Sequence, residues 1–185
     1  MDDFLRKRGF HYFEGHSSEC PEQVADLIKL TASSNISVMQ IGMNAGHSAD
    51  TFLSNNPTLT LVSFDINEHD YTMPANDYLK KTYPGRHKLI VGDSTVEVPK
   101  YKGKPFDVIF IDGGHDYEVA KADLENSIKL SRKGTLIIMD DVTNGPQAGY
   151  TIGPTKAWSE CKEIRQTGHS DYGLYRGMSW GLVTG

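Results

Sequence analysis

The run 106-FDVIFIDGGHDYE-118 is almost wholly apolar up to Ile111, then sets down an aspartate, two glycines, a histidine, a second aspartate and a tyrosine. A second apolar run stops at the pair Asp140-Asp141. Three carboxylates brought together, Asp112, Asp140 and Asp141, repel one another unless a cation offsets them, and magnesium takes hard oxygen ligands while keeping positions for water or substrate. His115, three residues beyond Asp112, offers an imidazole whose pKa near neutrality suits it to accept a hydroxyl proton. The same residues also allow plainer roles. Asp112 can turn the chain and cap the next helix, Asp141 can be solvated, and His115 can contact a cofactor or hydrogen-bond Asp116. There is no EF-hand pattern, and His47, His69 and His87 lack the spacing of paired zinc ligands.

Convergence of those carboxylates requires a particular scaffold. Five apolar segments recur along the chain: Ile36 to Ile41, Leu59 to Phe64, Lys88 to Val91, Phe106 to Ile111 and Thr135 to Met139. Most are continuously apolar, which suits parallel strands covered on both faces. Val24, Leu27, Ile28 and Thr31 after Pro21, and Tyr117, Ala120, Leu124 and Ile128, keep helical spacing. Pro99 and Gly103 limit any helix between the third and fourth strands to a short one. A helix is predicted over 154–165. A hairpin is predicted from Tyr172 to Tyr175 and Met178 to Val183 about Arg176-Gly177, adding an antiparallel edge strand. The expected fold is therefore α/β, a doubly wound Rossmann-like sheet, mostly parallel with an antiparallel last strand, forming a single domain over 1–185. Right-handed crossovers then bring the ends of the fourth and fifth strands, with their aspartates, to one edge of the sheet.

The first strand runs into 40-QIGMNAGHSA-49, where Gly42 and Gly46 would let backbone approach a ligand closely. A dinucleotide fingerprint needs three glycines in G-x-G-x-x-G, and Asn44 stands where the second belongs. Asp65, ending the second strand, could accept both ribose hydroxyls, which NAD and S-adenosylmethionine share. Asp93 and Ser94, ending the third, could meet an adenine edge or simply cap a short helix.

The order I-G-x-N-x-G-H-S, Asp65, G-D-S at 92–94, F-I-D-G-G-H-D-Y-E at 110–118 and I-I-M-D-D-V at 137–142 resembles the class I S-adenosylmethionine-dependent methyltransferases. More narrowly, it is similar to the small metal-dependent O-methyltransferases, catechol O-methyltransferase among them, and their D-G-x-H-x-Y branch. The resemblance implies S-adenosylmethionine contacts from Gln40, Gly42, Asn44, Gly46, Ser48, Asp65, Asp93, Ser94 and Asp112. It implies a divalent cation, Mg2+ first, on Asp112, Asp140 and Asp141, the third of which is an asparagine in the catechol enzyme. His115 occupies the offset of that enzyme's basic lysine, and a homodimer is plausible. One departure stands out. The family's first strand usually ends in an acid two residues before the first glycine, and here that residue is Gln40, which can hydrogen-bond a cofactor ammonium but brings no charge.

The remaining composition narrows the partner. A formal net charge of −5 and no basic run longer than Arg6-Lys7-Arg8 argue against a grip on nucleic acid. No apolar stretch is long enough to cross a bilayer, no secretory leader is evident, and Cys20 and Cys161 read as free thiols, so a cytoplasmic location is expected. The expected partner is a small hydroxylated molecule. The Gly- and Pro-rich segment 142–158 is placed to cover it, with Tyr150, Lys156 and Trp158 as candidate contacts, and 9-GFHYFEGHSS-18 could form an opposite wall. An NAD-linked oxidoreductase, a metal-independent methyltransferase and a non-catalytic cofactor-binding protein remain the alternatives.

Overall fold

Alternation along the strands explains why they look apolar throughout. Val38, Phe110 and Ile138 face one side with Leu27, Phe52 and Leu79, while Met39, Ile109 and Ile137 face the other with Val98, Leu124 and Trp158. Successive strand residues point to opposite faces, so a sheet with helices on both sides must be apolar at nearly every position. A computed structural model describes residues 1–14 and 16–185; Gly15, inside the segment expected to form a wall, lies outside the described residues.

The strands are β1 (Ser37–Ile41), β2 (Thr60–Asp65), β3 (His87–Val91), β4 (Val108–Ile111), β5 (Leu136–Asp140), β6 (Ile164–Asp171) and β7 (Gly177–Val183). They form one sheet in the order β3-β2-β1-β4-β5-β7-β6. The first five pair in parallel, and β7 is antiparallel to both β5 and β6. The helices are α1 (Asp2–Arg6), α2 (Pro21–Leu30), α3 (His47–Asn55), α4 (Thr72–Thr82), α5 (Ser94–Lys100), α6 (Tyr117–Lys129) and α7 (Gly149–Glu160). The order reverses between β1 and β4, the switch point outside which open α/β sheets bind their ligands.

Two expectations about the C-terminal third need correction. The helix runs over 149–160 rather than 154–165, because Thr151 exchanges hydrogen bonds with the backbone N–H and carbonyl of Ala148 and so starts the helix inside the glycine-rich stretch. Residues 172–175 are not a strand but part of the turn, closed by the Tyr172 N–H donating to the Arg176 carbonyl (2.8 Å). The strand that pairs with β7 is β6, whose sequence IRQTGHSD carries little apolar signature because it is an edge strand with a single neighbour.

Candidate active site

The first turn fits against the end of β4 only because residue 42 is glycine. Gly42 has φ +83°, and a Cβ there would overlap the Asp112 carbonyl. Gly46, at φ +80°, caps the start of α3. Asp65 braces the same turn: Oδ2 accepts from the N–H groups of Met43 and Asn44 (both 2.8 Å) and Oδ1 from Asn67 (2.7 Å). Gln40 does not reach outward. Its side chain is fully buried, Nε2 donating to the Gly42 carbonyl (2.9 Å) and Ser48 Oγ (2.5 Å), and Oε1 accepting from Ser63 (3.2 Å). The amide therefore supports the glycine turn from below, and Ser48 belongs to the same buried chain. Asp93 caps α5, accepting from the Thr95 N–H (2.9 Å) and hydroxyl (2.7 Å), while Ser94 opens that helix.

Asp112, Asp140 and Asp141 come near enough for their charges to act on one another. Burial raises the Asp112 carboxyl well above its ordinary value, and the charges of Asp140 and Asp141 raise it further. Asp140 is likewise pushed up, first by burial and then by Asp141. Its Oδ2 accepts from Gln23 Nε2 at 2.7 Å, while the buried Oδ1 has no partner among the described residues. Asp141 sits at φ 57°, a left-handed conformation that is costly away from glycine and least so for Asp and Asn. Its Oδ2 lies 2.9 Å from His115 Nε2. The Asp141 carboxylate beside it raises the His115 pKa against the opposing effect of burial.

The walls come from segments distant in sequence. The Tyr150 ring packs edge-on to His115, with centroids 5.9 Å apart, and its hydroxyl donates to the Tyr175 carbonyl at 2.9 Å. Arg176 Nη2 donates to the His16 carbonyl at 3.1 Å. A cavity of about 10 Å³ is lined by His16, Ser17, Asn44, His47, Ser48 and Asp112, among others. Lys156 and Trp158 are not part of this arrangement: Lys156 lies over the Tyr117 ring, and Trp158 is buried with Nε1 bonded to Gln166 (3.0 Å). Gln23 and Arg176 were not singled out by sequence. Each owes its place to a long-range contact, and neither belongs to a local motif. A larger cavity, about 540 Å³, lies by the starts of β1 and β2 and includes none of the site residues.

The family described as "Methyltransferase domain" matches residues 39–142, more than half of the chain. The chain belongs to this family. Over 60 residues it is 35% identical to a catechol O-methyltransferase of Mycobacterium tuberculosis, a match covering 32% of this chain and 26% of that relative, about a quarter of its length. Among solved structures, an O-methyltransferase from Bacillus cereus in complex with S-adenosylhomocysteine superposes with a TM-score of 0.74 at 21% identity, covering 98% of this chain and 89% of that one. TomG, an O-methyltransferase from Streptomyces achromogenes involved in tomaymycin synthesis and solved with S-adenosylmethionine, gives 0.72 at 19% identity, covering 100% and 87%. These likenesses establish the fold, that of the class I methyltransferases with its antiparallel last strands. No described helix is long and apolar enough to cross a membrane.

The residues present suit the family's cofactor. Among the described residues Ser17 Oγ and Asn44 Oδ1 are buried without partners, and both residues line the cavity beside Asp112, which is what a zwitterionic amino-acid end needs. For a metal the donor set is right in kind, all oxygen with Asp140 Oδ1 unpartnered. Among the described residues, however, no group of three or more His, Cys, Asp or Glu side chains is arranged to hold an ion.

Proposed function

We propose that this protein is an S-adenosylmethionine-dependent O-methyltransferase acting on a small hydroxylated substrate. The observation that carries this reading is the His115–Asp141 pair, 2.9 Å apart, beside Asp112 at the switch point of a methyltransferase sheet. S-adenosylmethionine supplies an electrophilic methyl group. Asp65 and the Gly42 turn bind and shape its nucleoside side, with Asp93 and Ser94 toward the base, and Ser17, Asn44 and Asp112 serve its amino-acid end. Gln40 positions the turn without touching the cofactor. With its proton on Nε2, the nitrogen beside the Asp141 carboxylate, the imidazole keeps its lone pair on Nδ1, where it accepts the substrate hydroxyl proton as the oxygen attacks in line and the sulfur of the cofactor leaves. Tyr150 flanks the imidazole, which stays about half exposed to an incoming substrate.

Asp112, Asp140 and Asp141 would hold a divalent cation, Mg2+ by its preference for oxygen donors. Bound there, it would acidify the substrate hydroxyl and offset the carboxylate repulsion. The unpartnered Asp140 Oδ1 and the raised Asp112 pKa support this. A second reading, transfer without a metal, is favoured by the engagement of Asp141 with His115 and of Asp140 Oδ2 with Gln23. The test is a calorimetric titration with S-adenosylhomocysteine, with NADH as control, followed by turnover on diols and phenols with and without EDTA. Binding of NADH in place of S-adenosylhomocysteine would sink the proposal, and turnover that survives EDTA would remove the metal from it.

A further inference from the structure

Arg176 is a cation in the wall of a site rich in acids, and among the described residues it is left largely unpaired. Its guanidinium is partly buried and donates to the His16 carbonyl at 3.1 Å. Among the described residues no carboxylate lies within 4.0 Å of it. His16, whose carbonyl it meets, lines the small cavity beside Asp112. A guanidinium carries five N–H donors in a planar fork that matches a carboxylate, and here one of them is used within the protein.

The contacts around it form an arc with chemistry at both ends. His115 packs against Tyr150, the Tyr150 hydroxyl holds the Tyr175 carbonyl, and Tyr175 leads directly into Arg176. Tyr175 takes up φ 64°, unusual for an aromatic residue, within the turn that presents Arg176. The Tyr150 ring, 43% exposed, flanks the base, and the turn that presents Arg176 carries Leu174 and Tyr175 at 67% and 37% exposure. Such a stretch of exposed apolar side chains next to a polar cleft is what a ring-shaped ligand needs.

We propose that the acceptor substrate is a hydroxylated acid, its carboxylate held by Arg176 and its hydroxyl presented to His115. This rests on the methyltransferase reading above. Asp112, Asp140 and Asp141 repel an acid group at the hydroxyl end, so the charge distribution fixes which way round the acceptor lies. A lysine in place of Arg176 would supply the charge without the two parallel hydrogen bonds.

The experiment titrates 3,4-dihydroxybenzoate, its methyl ester and catechol into the full chain saturated with S-adenosylhomocysteine and magnesium. Wild type, Arg176→Gln and Arg176→Lys are compared, with S-adenosylhomocysteine affinity and thermal unfolding measured for each. The expected result is that wild type binds the acid at least about tenfold more tightly than the ester or catechol. Arg176→Gln should remove that preference, leaving ester and S-adenosylhomocysteine affinities unchanged, and Arg176→Lys should restore part of it. Equal affinity for acid and ester in wild type, or no binding of any of the three, overturns the proposal. So does an Arg176→Gln protein that keeps the preference but loses S-adenosylhomocysteine, which would place Arg176 at the cofactor's own carboxylate. A uniform weakening of all ligands with a lowered Tm would make the residue merely structural and also overturns it. Failure of wild type to bind S-adenosylhomocysteine at all is a different result, because it removes the methyltransferase reading itself.

Discussion

Gly153 of α7 lies directly against the backbone of His115: a Cβ at residue 153 would overlap the His115 carbonyl oxygen and stand 2.7 Å from the Tyr117 N–H nitrogen. Both neighbours are backbone atoms at the start of α6, so neither can swing aside. The glycine is thus what lets the helix that carries Tyr150 close on the turn that carries His115. In Gly153→Ala the gain in helix propensity, about 1 kcal/mol, is opposed by overpacking of about 1–3 kcal/mol, and α7 or the His115 turn must shift. We expect turnover to fall at least about tenfold, since small misplacements of a base are costly, while S-adenosylhomocysteine affinity changes less than about twofold. Steady-state kinetics alongside calorimetry checks this, and unaltered kcat would show that the approach is incidental.

The His115–Asp141 pair separates orientation from metal binding. Asp141→Asn keeps an acceptor oxygen for His115 Nε2 but removes the charge. If Asp141 fixes the tautomer of the imidazole and stabilises the imidazolium it becomes, losing the charge should lower kcat by about 10²–10⁴ with an unchanged magnesium requirement. If it also holds the cation, the magnesium concentration for half-maximal activity should rise as well. Magnesium titrations of wild type and variant decide between these outcomes, and full activity in Asp141→Asn would dismiss both roles.

Strand ends were legible in the sequence because burial on two faces leaves a continuous apolar run and function leaves a polar residue where it stops. Asp65, Asp112 and Asp140 stand where that logic put them. The polar edge strand β6 was not legible, because a strand paired on one side carries no two-faced signature. Nor was the role of Gln40. Its type suggested a cofactor contact, whereas its hydrogen bonds with Ser48 and Ser63 depend on register between β1, β2 and α3. Gln23 and Arg176 show the same limit, since their partners are 117 and 160 residues away.

Asp140 and Asp65 should divide metal and cofactor between them. Asp140→Ala removes the buried carboxylate whose Oδ1 is unpartnered, and we expect it to abolish magnesium-dependent turnover with cofactor affinity nearly intact. Asp65→Ala removes the two backbone hydrogen bonds that brace the first turn, with a third to Asn67, and should weaken S-adenosylhomocysteine by roughly tenfold or more. Calorimetry on both variants is the check. A large loss of cofactor affinity in Asp140→Ala, or none in Asp65→Ala, would contradict this division.

Asp123 gives a prediction about stability that does not depend on the reaction. It is fully buried in α6, and among the described residues neither carboxylate oxygen has a hydrogen-bond partner. Burial raises its pKa to about 6, with the nearby Ser94 hydroxyl moderating the shift without reaching hydrogen-bonding geometry, and the Asp93 charge adding to it. The sign follows from proton uptake. Below the unfolded pKa of about 4 both states are protonated and the residue costs nothing. As pH rises from there to about 6 the unfolded chain ionises first, and above 6 the whole penalty is present, roughly 3 kcal/mol from a shift of about two units. His87, whose pKa burial lowers to about 4, slopes the other way, losing stability as pH falls below its unfolded value. The wild-type curve therefore mixes the two, and only the difference between proteins isolates Asp123. Asp123→Asn, which mimics the protonated acid, should match wild type near pH 4 and exceed it by roughly 5–10 °C in Tm at pH 8. An equal gain at both pH values would mean that the carboxyl is not raised in the folded protein.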